Sequence, residues 1–269
     1  LATDGLGQPY FAEGRPVFCS FALYNMKENT TVKPYNAHEG KKEQVERMFD
    51  SIAPRYDLLN RVLSLGIDVQ WRKRVIRKLV ASNPQRVLDV ATGTADVAIM
   101  SAKAIPNATF VGVDIANQML DIGRGKIRDQ ALQERIMLET GDSEQLRFAD
   151  NSFDAATVAF GVRNFEDLEK GLSEMRRVLR PGGQLLVLEF SSPHIFPFKQ
   201  LYNAYFKYVL PVIGRLTSSD PRAYQYLFES VQAFPDGTEF TRILSKTGFK
   251  QPNCEPLTLG ICSLYTAVK

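Results

Sequence analysis

Apolar positions recur at a helical period from Gln44 onward, where Val45, Met48, Phe49 and Ile52 share one face. Pro54 interrupts the pattern in a position suited to open a new turn. A second helix is expected after Asp68, read as its N-cap, with Trp71, Val75, Ile76 and Leu79 on the apolar face; Asn83-Pro84 ends it. The period then shortens. Apolar runs at 86–91, 109–113, 135–139, 154–159 and 184–190 read as strands, and helical segments at 95–104, 117–128 and 166–179 fill the gaps. This alternation predicts an α/β fold with a parallel sheet covered by helices on both faces. The chain ends differently. A helix at 237–246 is followed by two strand-like segments, Phe249 to Glu255 and Leu257 to Val268, which predict an antiparallel pair at the sheet edge.

One window breaks the alternation. Residues 196–234 hold ten aromatics in 39 positions, with Leu201, Tyr205, Val209 and Ile213 at helical spacing and Tyr202, Phe206 and Leu210 beside them. Its place between the fifth strand and the last helix puts it over the carboxyl ends of the strands, where open α/β sheets bind ligands. At the other end, residues 1–25 show no period, and Met26 to Lys42 is polar. Residues 1–42 are therefore expected to form a disordered extension, and 43–269 a single domain. The extension lacks the basic and apolar regions of a secretory signal.

Composition narrows the picture further. A chain of 269 residues is long enough for one large α/β domain. A net charge of +3 is too small to argue for nucleic acid, and none is expected as a partner. Cys19, Cys254 and Cys262 suit a reducing compartment, and only His38 and His194 are present, so no metal centre is expected. No apolar run approaches the roughly 18 to 20 residues that span a bilayer.

The candidate chemistry gathers around the first βα turn. Arg86 to Asp96 reads as a strand containing Asp89, a tight turn on Gly93 flanked by Thr92 and Thr94, and a helix start. The second strand closes on Asp114, an acid that can accept from both ribose hydroxyls of a nucleoside. A pyrophosphate cofactor usually asks for Gly-x-Gly-x-x-Gly, and only the first of those glycines is present. The turn favours S-adenosylmethionine, which brings no phosphate, over a nicotinamide dinucleotide; a ligand-free structural turn stays open. Asp114 serves either cofactor and also suits a helix cap. Asp142 and Ser143, after the third strand, lie where an adenine amine would sit, with a plain loop cap as the alternative for Asp142. The loop Ala159-Phe160-Gly161-Val162-Arg163-Asn164 is not of the Asn/Asp-Pro-Pro-Tyr type that holds a planar amine.

Two longer segments carry a resemblance. Tyr56 to Trp71 (YDLLNRVLSLGIDVQW) and Arg177 to Ser191 (RVLRPGGQLLVLEFS) are similar to the signatures of the ubiquinone/menaquinone C-methyltransferase family, the UbiE/MenG type. The first departs from the pattern at Leu59 and Asp68, where Met and His are common. The resemblance runs from about Val45 to the C-terminus. It implies a class I methyltransferase with a seven-stranded, mostly parallel, Rossmann-like sheet whose last strand is antiparallel. It implies S-adenosyl-L-methionine as cofactor, with contacts carried over to Thr94, Asp114, Asp142 and Ser143, and a demethylated polyprenyl quinol as substrate. The Asp68 form of the first signature favours demethylmenaquinol over the ubiquinone-pathway benzoquinol. Beside this stand an NAD-dependent oxidoreductase and a non-catalytic scaffold of a quinone-synthesis complex as alternatives.

The expected chemistry follows from the acceptor. Methylating a ring carbon needs an electron-rich ring, and a phenol with a pKa of about 10 must lose its proton first. Arg163 is expected to stabilise the phenolate and Asn164 to orient it, while Tyr56 and Asp57 close the site from the N-terminal helices. The structural alternative for Arg163 is a salt bridge to Glu166 or Asp167. The aromatic window is expected to bind the prenyl tail and to rest on a membrane, aided by Lys199, Lys207 and Arg215; a packed helical pair or a homodimer interface is its other use. The protein is expected in the cytoplasm, with peripheral contact at the inner face of the membrane.

Overall fold

The computed structural model describes residues 32–193, 196–205 and 220–269. Three helices come first: α1 (Lys41–Ile52), α2 (Tyr56–Leu63) and α3 (Asp68–Ala81). A 3-10 turn over Ala53–Arg55, with Pro54 inside it, separates α1 from α2. The alternation then runs β1 (Arg86–Val90), α4 (Asp96–Ala104), β2 (Thr109–Asp114), α5 (Asn117–Asp129), β3 (Ile136–Thr140), β4 (Phe153–Ala159), α6 (Leu168–Val178) and β5 (Leu179–Phe190). After β5 come α7 (Phe198–Ala204), α8 (Pro221–Ala233) and α9 (Gly237–Lys246), then β6 (Lys250–Leu257) and β7 (Cys262–Val268).

The seven strands lie in the order β3-β2-β1-β4-β5-β7-β6. β1 to β5 pair in parallel, and β7 inserts antiparallel between β5 and β6. This is the class I methyltransferase sheet that the resemblance implied. The strand order reverses at β1, which has β2 on one side and β4 on the other. A crevice opens at their carboxyl ends there, the place where such sheets bind ligands.

Each face of the sheet is covered. Trp71 and Leu79 of α3, Ala98 of α4 and Leu120 and Ile127 of α5 pack on one side. Leu172 and Met175 of α6 and Phe240 and Leu244 of α9 pack on the other. Trp71 and Leu79 are positions that the helical period picks out, and burial of these apolar side chains is the main stabilising term.

Two expectations change at the N-terminal end. Asp68 is the first residue of α3 and makes no side-chain cap; it pairs instead with Arg72 one turn on and accepts from Ser64 Oγ at 2.7 Å. Residues 1–31 lie outside the described residues, but the stretch from 32 to 42 is packed on the domain. Val32 and Tyr35 sit against Val45, Met48 and Tyr226. Gln44 Oε1 accepts from the amides of Tyr35 and Asn36 at 2.7 and 2.9 Å. The boundary expected at residue 42 therefore falls at least ten residues earlier.

Candidate active site

The turn after β1 is built from left-handed residues. Ala91, Gly93 and Ala95 all have positive φ, and at Gly93 (φ +55°) glycine removes the strain that a side chain would add. The Gly93 amide donates to Asp114 Oδ2 at 2.8 Å, and the Ala116 amide donates to Oδ1 at 2.9 Å. Asp114 thus anchors the turn and keeps acceptor capacity on both oxygens. Burial holds its carboxyl above the ordinary range, opposed by those amides. On β1, Asp89 accepts from Thr92 Oγ1 at 2.7 Å and Thr157 Oγ1 at 2.5 Å. Burial pushes it up to about 6.

A cleft runs along this edge past Gly93, Asp114, Ile115, Met119, Asp142 and Ser143. Asp89, Thr92 and Thr94 line its continuation under the turn. Ile115 and Met119 give it apolar walls, and the carboxylates stand at separate points along it. Gly161 closes the approach from β4, since a Cβ there would lie 2.4 Å from that of Ala91. One aspect was not legible beforehand. Lys42 from α1 donates to Asp142 Oδ2 at 2.6 Å and to Glu144 at 3.2 Å. Glu144, itself buried, accepts from the amides of Glu166 and Asp167 at 3.0 Å.

Beside the cleft lies a second cavity of about 320 Å³, within the range of small-molecule sites. Trp71, Phe160 and Phe190 form a wall of three rings with centroids 4.7 to 6.1 Å apart. Ala223, Tyr224 and Tyr226 of α8 line it from the aromatic window. Phe49, Tyr56 and Phe160 line both the cleft and the cavity, so the two spaces meet there. Burial raises the Tyr56 phenol.

Arg163 lies on the cavity side of that junction, in a 3-10 turn over Val162–Asn164. Its Nη1 donates to the Phe160 carbonyl at 2.5 Å and to Glu189 Oε1 at 2.7 Å. Its Cζ sits 5.5 Å from the centre of the Phe190 ring. Its Nε is buried and has no hydrogen-bond partner among the described residues. The salt bridge to Glu166 or Asp167 is thus replaced by one to Glu189, on the adjacent strand. Asn164 faces the cleft, and its Oδ1 accepts from the Tyr226 hydroxyl at 3.1 Å. Lys41 supports the same turn from α1, donating to the carbonyls of Arg163 and Phe165 at 3.0 and 2.7 Å. Burial lowers its ammonium to about 8.

Asp57 does not join this group. Its Oδ1 accepts from Thr94 Oγ1 at 2.6 Å and its Oδ2 from Lys126 Nζ at 2.9 Å. It fastens α2 to the cofactor-side turn and touches neither the cleft nor the cavity. Lys126 also pairs with Asp96, at the start of α4.

The ubiE/COQ5 methyltransferase family matches residues 37–269. The chain belongs to that family. It is 50% identical to a protein of Bacteroides fragilis named demethylmenaquinone methyltransferase, over 88% of this chain and 97% of that one. A Porphyromonas gingivalis protein of the same name is 44% identical, over 91% of this chain and all of its own length. A Geotalea daltonii protein named ubiquinone/menaquinone biosynthesis C-methyltransferase UbiE is 46% identical, over 85% and 97%. Among solved structures, a SAM-dependent methyltransferase of Thermotoga maritima, described as a possible histamine N-methyltransferase, shares the fold. Its TM-score is 0.59 at 17% identity, covering 83% of this chain and 99% of that one. Membership of the ubiE/COQ5 methyltransferase family makes this chain a methyltransferase and sets aside the nicotinamide oxidoreductase.

Of the residues that sequence reasoning singled out, the fold brings Gly93, Asp114, Asp142, Ser143, Asn164 and Tyr56 to the cleft. It puts Asp89 and Thr94 under the turn and Arg163 in the cavity. Reasoning from sequence missed Lys41, Lys42, Glu144 and Tyr226. Glu189 stood in plain view inside the second signature as the one charged residue of the apolar run 184–190, and that contrast was the available signal.

Proposed function

We infer that this chain methylates a ring carbon of a demethylated polyprenyl naphthoquinol, demethylmenaquinol, with S-adenosylmethionine as donor. The observation that carries the reading is Arg163, which lines an aromatic cavity that opens onto the nucleoside cleft and whose buried Nε has no partner among the described residues.

The cleft suits the donor part by part. Asp114 retains capacity for the ribose hydroxyls, Ile115 and Met119 offer faces to a purine, and Asp142 with Ser143 lie at its edge. Asp89 and the Thr94 backbone, under the turn, suit the ammonium and carboxylate of the amino-acid end. When bound, the donor supplies an electrophilic methyl group on a sulfonium sulfur.

The residues of this chain do the rest. Trp71, Phe160 and Phe190 hold a flat ring. The Arg163 Nε donates to the ring oxygen beside the reacting carbon and favours its ionised form. A guanidinium has no acceptor, so it stabilises the phenolate without taking the proton, which leaves through water. Glu189 and the Phe160 carbonyl hold the guanidinium still. Phe49, Tyr56 and Phe160, shared between the two spaces, align acceptor with donor. Such positioning contributes up to about 7 to 11 kcal/mol of the barrier.

The relatives named demethylmenaquinone methyltransferase support the naphthoquinol; the one named for both pathways supports the ubiquinone-pathway benzoquinol as the second reading. Peripheral contact with a bilayer belongs to the same proposal. Leu58, Val62 and Leu65 on and after α2, and Phe196 and Phe198 at α7, are exposed, and Leu65 and Phe198 also line the cavity. An apolar rim at the cavity mouth is the path a prenyl tail takes from lipid, and Lys199 lies beside Phe198 for anionic headgroups. Lys207 and Arg215 lie outside the described residues. No helix among the described residues is long and apolar enough to cross a membrane. Transfer of a labelled methyl group to short-chain demethylmenaquinol tests the whole reading.

A further inference from the structure

Two buried donors on the wall of the acceptor cavity lack partners among the described residues. One is the Arg163 Nε; the other is the Tyr224 hydroxyl. Tyr224 is 6% exposed. Native interiors pair the large majority of such groups, so an unpaired pair in one cavity marks the polar outline of its ligand. The neighbouring Tyr226 makes the contrast: it lies on the same helix and in the same cavity, and its hydroxyl is taken by Asn164. The two residues line the cavity from different elements, Arg163 from the turn after β4 and Tyr224 from α8.

The inferred acceptor has a matching outline. A para-quinol carries two oxygens on opposite sides of its ring. One lies beside the carbon that receives the methyl group, and the other beside the carbon that bears the prenyl tail. Turning the ring over exchanges these two carbons, so the site must read both oxygens to present the correct one. Arg163, a fixed cation, suits the oxygen that ionises. A hydroxyl both donates and accepts, which suits the oxygen that keeps its proton.

We propose that Tyr224 is a positioning residue that hydrogen-bonds the ring oxygen beside the prenyl-bearing carbon and so sets which ring carbon meets the donor. This rests on the quinol reading above. Tyr224 packs with Tyr202, and Tyr205, Leu227 and Ile261 pack against the pair, so the acceptor ring would meet it among aromatic and aliphatic side chains.

The test compares two acceptors in wild type and Tyr224→Phe. One is short-chain demethylmenaquinol. The other is the prenylated 1-naphthol that keeps the hydroxyl beside the reacting carbon and lacks the second. Wild type is expected to favour the quinol by about tenfold in kcat/KM, the weight of one hydrogen bond. Tyr224→Phe is expected to lose about that factor on the quinol and to treat the two acceptors alike, with donor affinity unchanged by calorimetry. A variant that keeps the wild-type ratio between the acceptors overturns the proposal, whatever its absolute activity, and so does a wild type without a preference. A wild type that binds the donor and turns over neither acceptor overturns the quinol reading and this inference with it.

Discussion

Arg163 and Glu189 form an ion pair at 2.7 Å, with the arginine side chain 7% exposed and the glutamate fully buried. The pair joins the turn after β4 to the end of β5 and leaves the guanidinium Nε without a partner among the described residues. Glu189 also accepts from the backbone amides of Arg163 and Phe190, so its carboxylate is satisfied without solvent. Such pairs are costly to break from one side only, by about 3 to 5 kcal/mol, because the remaining charge stays buried.

Replacing the arginine therefore needs two variants. Arg163→Ala removes the donor and is expected to lower kcat by about 10² to 10³ while donor affinity holds. Arg163→Lys keeps a charge for Glu189 but loses the Nε–H and the planar fork, and its kcat is expected to stay depressed in a chain that unfolds near wild type. Wild-type turnover in either variant, measured at saturating donor, removes Arg163 from the mechanism.

Asp57 is expected to act on the donor and not on the acceptor. Its bonds to Thr94 and Lys126 hold the cofactor turn. Asp57→Asn should raise the donor KM by roughly tenfold, the worth of about one charged hydrogen bond, with kcat unchanged. Asp114→Ala removes the anchor of the Gly93 amide as well as the proposed ribose acceptor, and should weaken donor binding by a larger factor. A fall in kcat alone for Asp57→Asn contradicts this assignment.

Asp89 is expected to make donor binding depend on pH. Its carboxyl is pushed up to about 6 by burial. A cationic ligand end prefers the ionised acid, so the donor Kd should rise about tenfold per unit below pH 6 and level off above it. The effect on stability has the opposite sense. An acid with a raised folded-state pKa favours the fold when protonated, and that contribution is lost as pH rises from the ordinary carboxylate range through about 6. Asp89→Asn is expected to flatten both profiles. Calorimetric titrations at several pH values read the first, and denaturant melts of the donor-free chain read the second.

The apolar rim should govern attachment to lipid. Leu65 is 82% exposed, so Leu65→Asp costs the fold little, yet it should lower co-sedimentation with anionic vesicles by the loss of a buried leucyl side chain, about 1.5 to 3 kcal/mol. Unchanged vesicle binding for Leu65→Asp together with Phe198→Asp would move the contact elsewhere.

Much of the framework was legible in the sequence because it rests on local periods. The strands around Leu88 and Val111, the turn on Gly93 and the terminal antiparallel pair each announce themselves within a dozen residues. What was hidden crosses the chain. Glu189 meets Arg163 only because β5 lies in register beside β4, and Lys42 meets Asp142 only because α1 folds back over the β3 edge. Residues 32–42 looked like a flexible start because they are held by polar contacts to backbone atoms, which leave no apolar period to read. Tyr56 and Asp57 are adjacent in the sequence and expected to close the site together, but successive residues on a helix point in different directions, and the Asp57 carboxylate meets Thr94 and Lys126. The helical spacing over Val209 and Ile213 falls outside the described residues.

The central claim is a methyl transfer, and the most direct measurement is incorporation of label from S-adenosylmethionine into short-chain demethylmenaquinol and the ubiquinone-pathway benzoquinol, assayed side by side. The account predicts label on a ring carbon, with the higher kcat/KM on the naphthoquinol. A folded, donor-binding chain that labels neither quinol, or that labels the benzoquinol in preference, would contradict it.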